Sequence, residues 1–531
     1  MQQKKHSKMG RRAVIAALLA APPALYLAYK GNELAAEPTG EKVVEPATPV
    51  APLETSSVQP APALAWEQTG GLLNDASHIN PTPVYGVVRI TNEEDVRAAL
   101  AFARDNGLKV ALAGVRHSMG GQAFARGAVV LDMLGFNRIL LNEAEQTITV
   151  QGGATWHNIQ NVLHPQYAVK AMQSTDIFSV GGSISVNAHG MDHQVGALGR
   201  TIRSLRLMLA DGAVQTLSRT ENVELFNLVV GGYGLFGVIL EATLEITRNA
   251  IYQTGRRYID YQDFPRLWNE ELASDKKLGL MYSHLSTSPD NFLREMILYT
   301  YTEAEVPEAE IPPLAEVGSV GLRRFVLNFS KLGDIPMRLK WWAEKYIEPR
   351  MEACTVVSRA QAQAAAEACF VSRNEPMHDS VAYLRNSLPQ ETDILHEYFV
   401  PREKFLEFVD GLRETLTAHK ANVLNASVRV VYAEDNFLNY APVDAFSIVL
   451  YINQRTDPAG HAGMQTLTSE LIELTLKLNG RFFLPYQLYY TAEQLERAYP
   501  EIRNFFAAKR RYDPGEIFTN TFYEKYAPSL Q

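Results

Sequence analysis

The sequence predicts an α+β protein with more than one domain, on three observations. A chain of 531 residues is longer than a single hydrophobic core usually supports. Residues 87–113 predict a strand, a helix and a second strand in succession. Residues 395–400, 428–432 and 446–453 are rich in β-branched and aromatic residues, which predicts an antiparallel sheet late in the chain.

The composition is that of a soluble globular protein, with 46% hydrophobic and 21% charged residues. The net charge is −9 and no long Lys/Arg block follows the first residues, which excludes a surface that tracks nucleic-acid phosphates. Two cysteines, Cys354 and Cys369, are too few for a disulfide framework or a thiolate metal site. The Ala-rich helix predicted between them would hold them about 22 Å apart, at about 1.5 Å per residue, so we expect two thiols.

The N-terminus predicts a membrane anchor. Five Lys and Arg residues precede an apolar run over residues 13–29, and the positive-inside rule then leaves the basic end in the cytoplasm and exports the catalytic body to the periplasmic side of the inner membrane. A cleaved signal, or twin-arginine export through Arg11 and Arg12, remains an alternative to an anchor over residues 1–30. The Pro/Ala-rich residues 31–65 predict an extended linker, so the globular body begins near Trp66.

The globular body opens with a strand–helix–strand unit. Residues 87–90 predict the first strand, and Thr91 with Glu94 predicts a capping box at the start of the helix. The helix ends at Asn106-Gly107, and residues 108–113 predict the second strand. The helix is predicted to bury four apolar residues that recur at helical spacing: Val96, Ala99, Leu100 and Ala103.

Three glycine clusters follow this unit, over residues 113–122, 174–190 and 229–239. None is a G-x-G-x-x-G turn or a Walker loop. Glycines allow backbone N–H groups to approach an anion closely, and Arg116 and Ser118 add donors suited to a pyrophosphate. Isolated turns do not explain three clusters in this order, so the clusters need a common explanation.

The motifs resemble those of a known family. The relevant stretches are "RHSMGGQ", "SVGGSISVNAHGMDHQVGALG", "ADGAVQTLS…ELFNLVVGGYGLFGVI" and, near the C-terminus, "KRRYDPGEIFTNTFY". Residues 78–248 thereby resemble the FAD domain of the p-cresol methylhydroxylase and vanillyl-alcohol oxidase superfamily. Its aldonolactone oxidase, cytokinin dehydrogenase and decaprenylphosphoryl-ribose 2′-oxidase branches are the most similar.

The resemblance implies an α+β fold with a two-subdomain FAD-binding domain and a cap domain built on an antiparallel sheet. The implied boundaries are residues 66–250 for the FAD domain, 251–475 for the cap, and 476–531 for a segment that returns to the FAD domain. Residues 322–347 of the cap predict an amphipathic helical pair that covers the sheet, with contact to a membrane surface as the alternative.

The resemblance also implies a set of FAD-binding positions in the pyrophosphate loop, the second cluster, the adenine side and the returning segment. These positions are Ala113, Gly114, Val115, Arg116, His117, Ser118, Met119, Gly120, Gly121, Gln122, Ser174, Ser179, Val180, Gly181, Gly182, Val186, Asn187, His189, Val238, Ile239 and Phe483.

His117 occupies the position where many relatives bond an imidazole to the 8α-methyl group of the flavin, a link that raises the flavin potential. Relatives that form the bond usually have Gly before the His, whereas this chain has Arg116. The ribose-oxidase branch has no His there and binds FAD without a bond. Two roles therefore remain for His117: a covalent bond to the flavin, or a hydrogen bond to the pyrophosphate.

The resemblance implies catalytic roles for Glu397 and Arg429 on the cap strands and for Tyr486, which replaces a lysine of the ribose-oxidase branch. His193 is a further candidate on the flavin side. The alternatives are a cross-strand ion pair between Glu397 and Arg429 without a catalytic role, and a loop histidine at 193.

The expected function is FAD-dependent oxidation of a CH–OH group in a sugar, sugar lactone or alditol, with hydride transfer to flavin N5 and oxygen or a quinone as electron acceptor. A cytokinin-type amine dehydrogenase and a membrane-tethered flavin electron carrier without its own substrate are the alternatives. A carrier would lack convergent polar groups over the flavin. The sequence predicts no metal site.

Overall fold

The structure is a computed structural model that describes residues 30–38, 61, 63–306, 310–316, 318–348, 369–385 and 387–530. The predicted anchor lies outside these residues, as does most of the linker. No helix in the described ranges combines the length and the apolar character needed to cross a bilayer.

The first subdomain contains a four-stranded sheet in the order β1-β4-β6-β5. Strands β4, β5 and β6 are parallel and β1 pairs antiparallel with β4, while β2 and β3 form a separate hairpin. The elements are β1 (Trp66–Thr69), β2 (Leu72–Leu73), β3 (Thr82–Pro83), β4 (Gly86–Arg89), α1 (Glu93–Asp105), β5 (Val110–Ala113) and β6 (Val129–Asp132).

Helix α1 buries the four predicted apolar positions against this sheet. Its capping box is one residue later than predicted. The Asn92 side chain accepts the Asp95 N–H and the Asp95 carboxylate accepts the Asn92 N–H. Thr91 instead donates its N–H and hydroxyl to Asp95, because it precedes the N-cap. The pairing Thr91–Glu94 was therefore wrong.

The second subdomain contains an antiparallel sheet in the order β11-β10-β12-β8-β7, with β9 paired to the end of β12. The strands are β7 (Ile139–Asn142), β8 (Thr147–Gln151), β9 (Tyr167–Val169), β10 (Ile202–Met208), β11 (Val214–Ser218) and β12 (Val238–Arg248). The helices are α2 (Trp156–Leu163), α3 (Val180–Ser185) and α4 (Val223–Val229).

The cap is an eight-stranded antiparallel sheet in the order β16-β13-β15-β14-β18-β19-β17-β20. The strands are β13 (Ile251–Asp260), β14 (Leu278–Leu285), β15 (Glu295–Glu303), β16 (Phe370–Ser372), β17 (Glu391–Pro401), β18 (Asn422–Val431), β19 (Ala445–Arg455) and β20 (Arg481–Phe482). The helices of this part are α5 (Phe264–Glu270), α6 (Val320–Ser330), α7 (Asp334–Tyr346), α8 (Phe405–Ala418) and α9 (Pro458–Lys477).

The expected helical pair is confirmed as α6 and α7. Leu327 and Met337 pack with Leu424 and Tyr451 of the cap sheet, which is the covering role that the amphipathic pattern predicts.

The returning segment carries α10 (Ala492–Ala498), α11 (Ile502–Tyr512) and α12 (Thr521–Tyr526). The Val110 N–H donates to the carbonyl of Ile517 at 2.7 Å, and the Thr519 N–H donates to the carbonyl of Val110 at 2.9 Å. The C-terminal chain thus adds to the free edge of β5, which returns it to the first subdomain as the resemblance implies.

Two expectations about the chain outside the flavin domain were wrong. Residues 31–35 are helical, not extended, because Leu34 is buried and the Asn328 side chain of α6 donates to its carbonyl at 2.7 Å. Cys369 is disulfide-bonded, not a thiol. Its carbonyl accepts the Thr254 N–H beside β16, so the predicted helix cannot extend unbroken to this residue; Cys354 lies outside the described residues.

Three enclosed histidines predict that acid destabilises the fold. Burial lowers the pKa of His193, His284 and His396 to about 4. Between the unfolded pKa of about 6.5 and that value, the unfolded chain binds more protons, so stability falls as the pH falls. The loss is about 1.4 kcal/mol per pH unit for each histidine at most. Asp75, whose pKa burial raises to about 6, opposes part of it.

The measurement is urea unfolding between pH 7.5 and pH 5. His396→Gln should flatten the dependence of stability on pH. Constant stability across this range would contradict the assignment.

Candidate active site

A cavity of about 650 Å³ lies where the two subdomains meet the cap sheet. Its walls come from the loop after β5, the segment before α3, the start of β12, and strands β17, β18 and β19. This volume falls within the range of about 300–1,000 Å³ that is usual for cofactor and ligand sites.

The loop after β5 is held from both sides. The Asp75 carboxylate accepts the Gly121 N–H at 2.8 Å, and the Gln122 side chain donates to the carbonyls of Leu484 and Tyr486 at 2.9 and 3.0 Å. Arg116 adopts φ +57°, a left-handed conformation that glycine adopts without strain. The Arg116 guanidinium lies 3.4 Å from Asp132.

His117 lies on the cavity wall, with its ring edge-on to Phe178 at 5.0 Å. Burial, followed by the positive charges of Arg385 and His78, lowers the pKa of His117 to about 4. The imidazole is therefore neutral at pH 7, so one ring nitrogen has a free lone pair.

The second glycine cluster brings close backbone packing and buried hydroxyls to the opposite wall. The Gly181 N–H donates to the Gly152 carbonyl at 2.8 Å, and a Cβ at 181 would lie 2.9 Å from that oxygen. The Ser174 and Thr175 hydroxyls are buried at the cavity without a hydrogen-bond partner among the described residues. Buried hydroxyls require partners, and a polar dinucleotide such as FAD supplies them.

Most of the predicted FAD positions line the cavity. These are Ala113, Gly114, Val115, Arg116, His117, Ser118, Met119, Gln122, Ser174, Ser179, Gly181, Gly182, Val186, His189, Val238, Ile239 and Phe483. Gly120, Gly121, Val180 and Asn187 do not line it. Asn187 instead has φ +47° and accepts the Gly199 N–H at 2.8 Å, so its role is to shape the chain after α3.

The register of the cap sheet explains why Glu397 and Arg429 meet at the cavity. Glu397 pairs with Val449, and Ser447, two residues earlier on β19, pairs with Arg429 of β18. Directly paired residues, and residues two apart, share one face of a sheet. The two charged residues therefore project from one face with β19 between their strands. The alternative of an ion pair between neighbouring strands does not occur.

Glu397 is buried and accepts three hydrogen bonds. His189 Nε2 and the Ser447 hydroxyl each lie 2.5 Å from Oε1, and the Tyr486 hydroxyl lies 3.3 Å from Oε2. Burial by itself raises the pKa of Glu397, but His189, the Ser447 hydrogen bond and the charge of Arg429 together hold this pKa below its usual value. The group is a carboxylate at neutral pH.

Tyr486 and Arg429, which lie beside the Glu397 carboxylate, are both hydrogen-bond donors. Burial and the charge of Glu397 raise the pKa of Tyr486 well above its usual value, so the phenol remains a donor. Burial lowers the pKa of Arg429, although Glu397 opposes the change, and its Nε has no hydrogen-bond partner among the described residues. The guanidinium is thus available to a bound molecule.

His189 belongs to the reactive cluster as well as to the FAD positions. Its Nε2 faces the carboxylate and therefore carries a proton, while its buried Nδ1 has no partner in the part of the chain that the structure describes. Gly190 allows this placement, because a Cβ there would lie 1.9 Å from the Met172 carbonyl. The sequence signal was the His-Gly pair, which the resemblance assigned only to the flavin.

The structure does not place His193 in the cavity. Its ring packs edge-on against Trp268 at 5.8 Å, below the cap. It separates from His189 because Asp192, between them, accepts the N–H groups of Gln194 and Val195 and turns the chain away.

Several lining residues were missed from the sequence. Asp75, His78, Arg385, Thr392 and Tyr451 reach the cavity from segments without glycine clusters. For Tyr451 the signal was available, since alternation along the predicted strand 446–453 places it on the same face as Val449. The segment of Asp75 and His78 has no regular structure, and only the fold brings it to the loop after β5.

The comparisons with known proteins agree with this geometry. Residues 84–218 match the family model described as FAD binding domain, and residues 343–526 match the model described as D-arabinono-1,4-lactone oxidase. The chain is 25% identical to decaprenylphosphoryl-beta-D-ribose oxidase of Mycolicibacterium smegmatis over 82% of its length and 94% of that protein.

Other relatives match over shorter stretches. L-gulonolactone oxidase of Mus musculus is 31% identical over 29% of this chain and 36% of that protein. Cytokinin dehydrogenase 2 of Arabidopsis thaliana is 28% identical over 32% of this chain and 35% of that protein. The cavity and the FAD binding domain model agree on one cofactor, FAD. The chain is an FAD-dependent oxidoreductase similar to the p-cresol methylhydroxylase-type superfamily, and its residues 343–526 match the aldonolactone oxidase model.

Proposed function

We propose that this enzyme oxidises a CH–OH group of a sugar, sugar lactone or alditol. The observation that carries the proposal is the buried Glu397 carboxylate, which faces the cavity with three of its acceptor positions filled. A carboxylate has about four such positions. The fourth, on Oε2, is free to accept the proton of a substrate hydroxyl.

Each residue around this position has a separate role in the proposed reaction. Glu397 accepts the hydroxyl proton, and Arg429 stabilises the negative charge that develops on the substrate oxygen. Tyr486 and Ser447 orient the carboxylate, while His189 holds Oε1 and presents Nδ1 to a second hydroxyl of a polyol. Bound FAD supplies the hydride acceptor at N5.

Oxygen or a quinone is the acceptor that we propose for the electrons. The named activities of the relatives, on a lactone and on a phosphoryl-linked ribose, support a polyhydroxylated substrate. A flavin carrier without its own substrate is disfavoured because polar groups converge on the cavity from the cap. A cytokinin-type amine reaction has no comparable support in this cluster.

We further propose that FAD is attached through His117. The neutral imidazole on the cavity wall and the left-handed backbone at Arg116 support this attachment.

We also propose that the protein is anchored in the inner membrane with its catalytic body exported. The basic and apolar N-terminus supports this proposal, and a second observation comes from α7. One face of α7 is apolar and exposed, with Ile335, Leu339, Trp342 and Tyr346 each about half exposed or more. Spacings of three and four place these residues on one side of the helix. The helical residues 30–35, which follow the predicted apolar run in the sequence, pack on α6, the helix before α7.

Glu397→Gln should slow flavin reduction by about 10²-fold or more, because an amide cannot accept the hydroxyl proton. The measurement is anaerobic stopped-flow reduction across a panel of sugars, lactones and polyols, with FAD content as the control for folding.

Ser447→Ala is the matched variant at the same carboxylate. The Ser447 hydroxyl lowers the pKa of Glu397, so its loss should move the acid limb of the reduction rate to higher pH and leave the plateau near wild type. Reduction of the Gln variant at the wild-type rate would contradict the role of Glu397.

Acid denaturation should leave the yellow flavin on the precipitated protein, and intact mass should exceed that of the polypeptide by one FAD. His117→Asn should release the flavin while the fold persists, because the donors of the second glycine cluster remain. Release of flavin from the wild-type protein into the supernatant would show that the cofactor is not covalently bound.

The membrane proposal predicts that full-length protein sediments with membranes and that a phosphatase fused after Gln531 is active outside the cytoplasm. Without residues 1–29, the protein should still float with anionic vesicles, and a triple change of Ile335, Leu339 and Trp342 to Ser should abolish flotation. Leu140→Ser, at an exposed site on β7, is the control. Full-length protein in the soluble fraction would contradict the anchor.

A further inference from the structure

Two histidines and a glutamate converge outside the active site. His157 lies in the first turn of α2, His378 follows the short helical turn Glu375–Met377, and Glu316 lies in the connection between β15 and α6. Glu316 Oε1 is 3.4 Å from His157 Nε2 and 3.8 Å from His378 Nε2. One possible ligand atom from each residue lies within 4.8 Å of the other two.

A buried carboxylate on the opposite side orients both rings. Asp176 Oδ2 lies 2.9 Å from His157 Nδ1 and 3.0 Å from His378 Nδ1. The Gln160 Oε1 atom, 2.9 Å from His378 Nδ1, is a second acceptor there, because Gln160 Nε2 donates to the Asn374 carbonyl. Carboxylate and amide oxygens accept hydrogen bonds, so the Nδ1 atoms carry the protons. Both Nε2 lone pairs then face Glu316.

This arrangement has the chemistry of a metal site. Three possible ligand atoms lie within 4.8 Å of one another, and each imidazole donates its other N–H to a carboxylate, as metal-ligating histidines do. Zn²⁺ binds His nitrogen and carboxylate oxygen at about 2.0–2.1 Å, and two ligands at that distance in a tetrahedron lie about 3.4 Å apart. The two distances to Glu316 are close to that separation, whereas the two imidazole rings are stacked with their centroids 4.8 Å apart and must turn toward each other for both Nε2 atoms to bind one ion.

We propose that His157, His378 and Glu316 bind a divalent transition-metal ion of the Zn²⁺ class, with Asp176 as the carboxylate that orients both imidazoles. Two His nitrogens and one carboxylate are a ligand set that suits zinc and leaves a fourth position for water. Glu316 is mostly exposed, which gives the ion a route from solvent. Sequence reasoning missed the site because its ligands are far apart in the chain and match no motif.

The metal would join the cap to the wall of the active-site cavity. The segment after His378 contributes Ser380, Val381 and Arg385 to the cavity, and Asp176 lies beside the lining residue Thr175. The Asp176 N–H already donates to the Asp379 carbonyl at 3.2 Å, and its carbonyl accepts the His157 N–H at 2.8 Å. An ion here fixes this wall without taking part in the chemistry, so the inference is independent of the proposed function.

The test uses full-length, FAD-loaded protein without a histidine tag, treated with a chelator and then titrated with Zn²⁺ or Co²⁺. We expect one equivalent of metal per chain, intense visible absorption from tetrahedral Co²⁺, and a rise in Tm on Zn²⁺ addition. His157→Gln and His378→Gln should each lower Zn²⁺ affinity by more than about 100-fold. Asp176→Asn should lower it by about 10–100-fold, the usual effect of an orienting partner.

Controls separate loss of the site from loss of the fold. His419→Gln, a surface histidine paired with Glu470, should bind metal as the wild type does. If the buried His378 variant does not fold, Glu316→Gln and His157→Gln, at more exposed positions, carry the test, with FAD content and circular dichroism as measures of folding. Unchanged Zn²⁺ affinity in folded Glu316→Gln and His157→Gln, or wild-type binding only at millimolar Zn²⁺, would overturn the proposal.

Discussion

The buried carboxylate of Glu397 is the interaction on which the active-site region depends. This carboxylate accepts hydrogen bonds from His189 of the second subdomain, Ser447 of the neighbouring cap strand and Tyr486 of the returning segment. An unpaired buried charge costs several kcal/mol, so these donors are needed wherever the carboxylate is buried. Three separate parts of the chain are thereby held at one point beside the cavity, and the fold and the chemistry share this cluster.

The cofactor side of the cavity follows a different principle. There glycines permit close approaches between backbone segments. Gly181 lies against Gly152, and Gly190 lies against the Met172 carbonyl, which aims His189 at Glu397. Ser174 and Thr175 add buried hydroxyls that a polar cofactor satisfies. FAD therefore completes the hydrogen bonding of this wall.

The proposed metal site lies on the outer side of the cavity wall, where polar contacts join the flavin domain to the cap. Asp176 joins α2 to the segment of His378, and that segment lines the cavity at Ser380 and Arg385. Local order at this place depends on a few polar contacts between distant parts of the chain. An ion bound by His157, His378 and Glu316 would make the contact between flavin domain and cap much stronger, because three ligands would have to dissociate together.

Local patterns in the sequence, namely glycine spacing and apolar periodicity, predicted the fold class and carried the family resemblance. That resemblance in turn implied FAD, most of the residues on the cofactor wall, Glu397 and Arg429. Tertiary structure alone decided which histidine faces Glu397, that β19 separates Glu397 from Arg429, and that Asp75 supports the loop after β5. It also decided the helical packing of residues 31–35 and the convergence of His157, Glu316 and His378. These depend on contacts between segments far apart in the chain, and no local pattern of residues encodes such contacts.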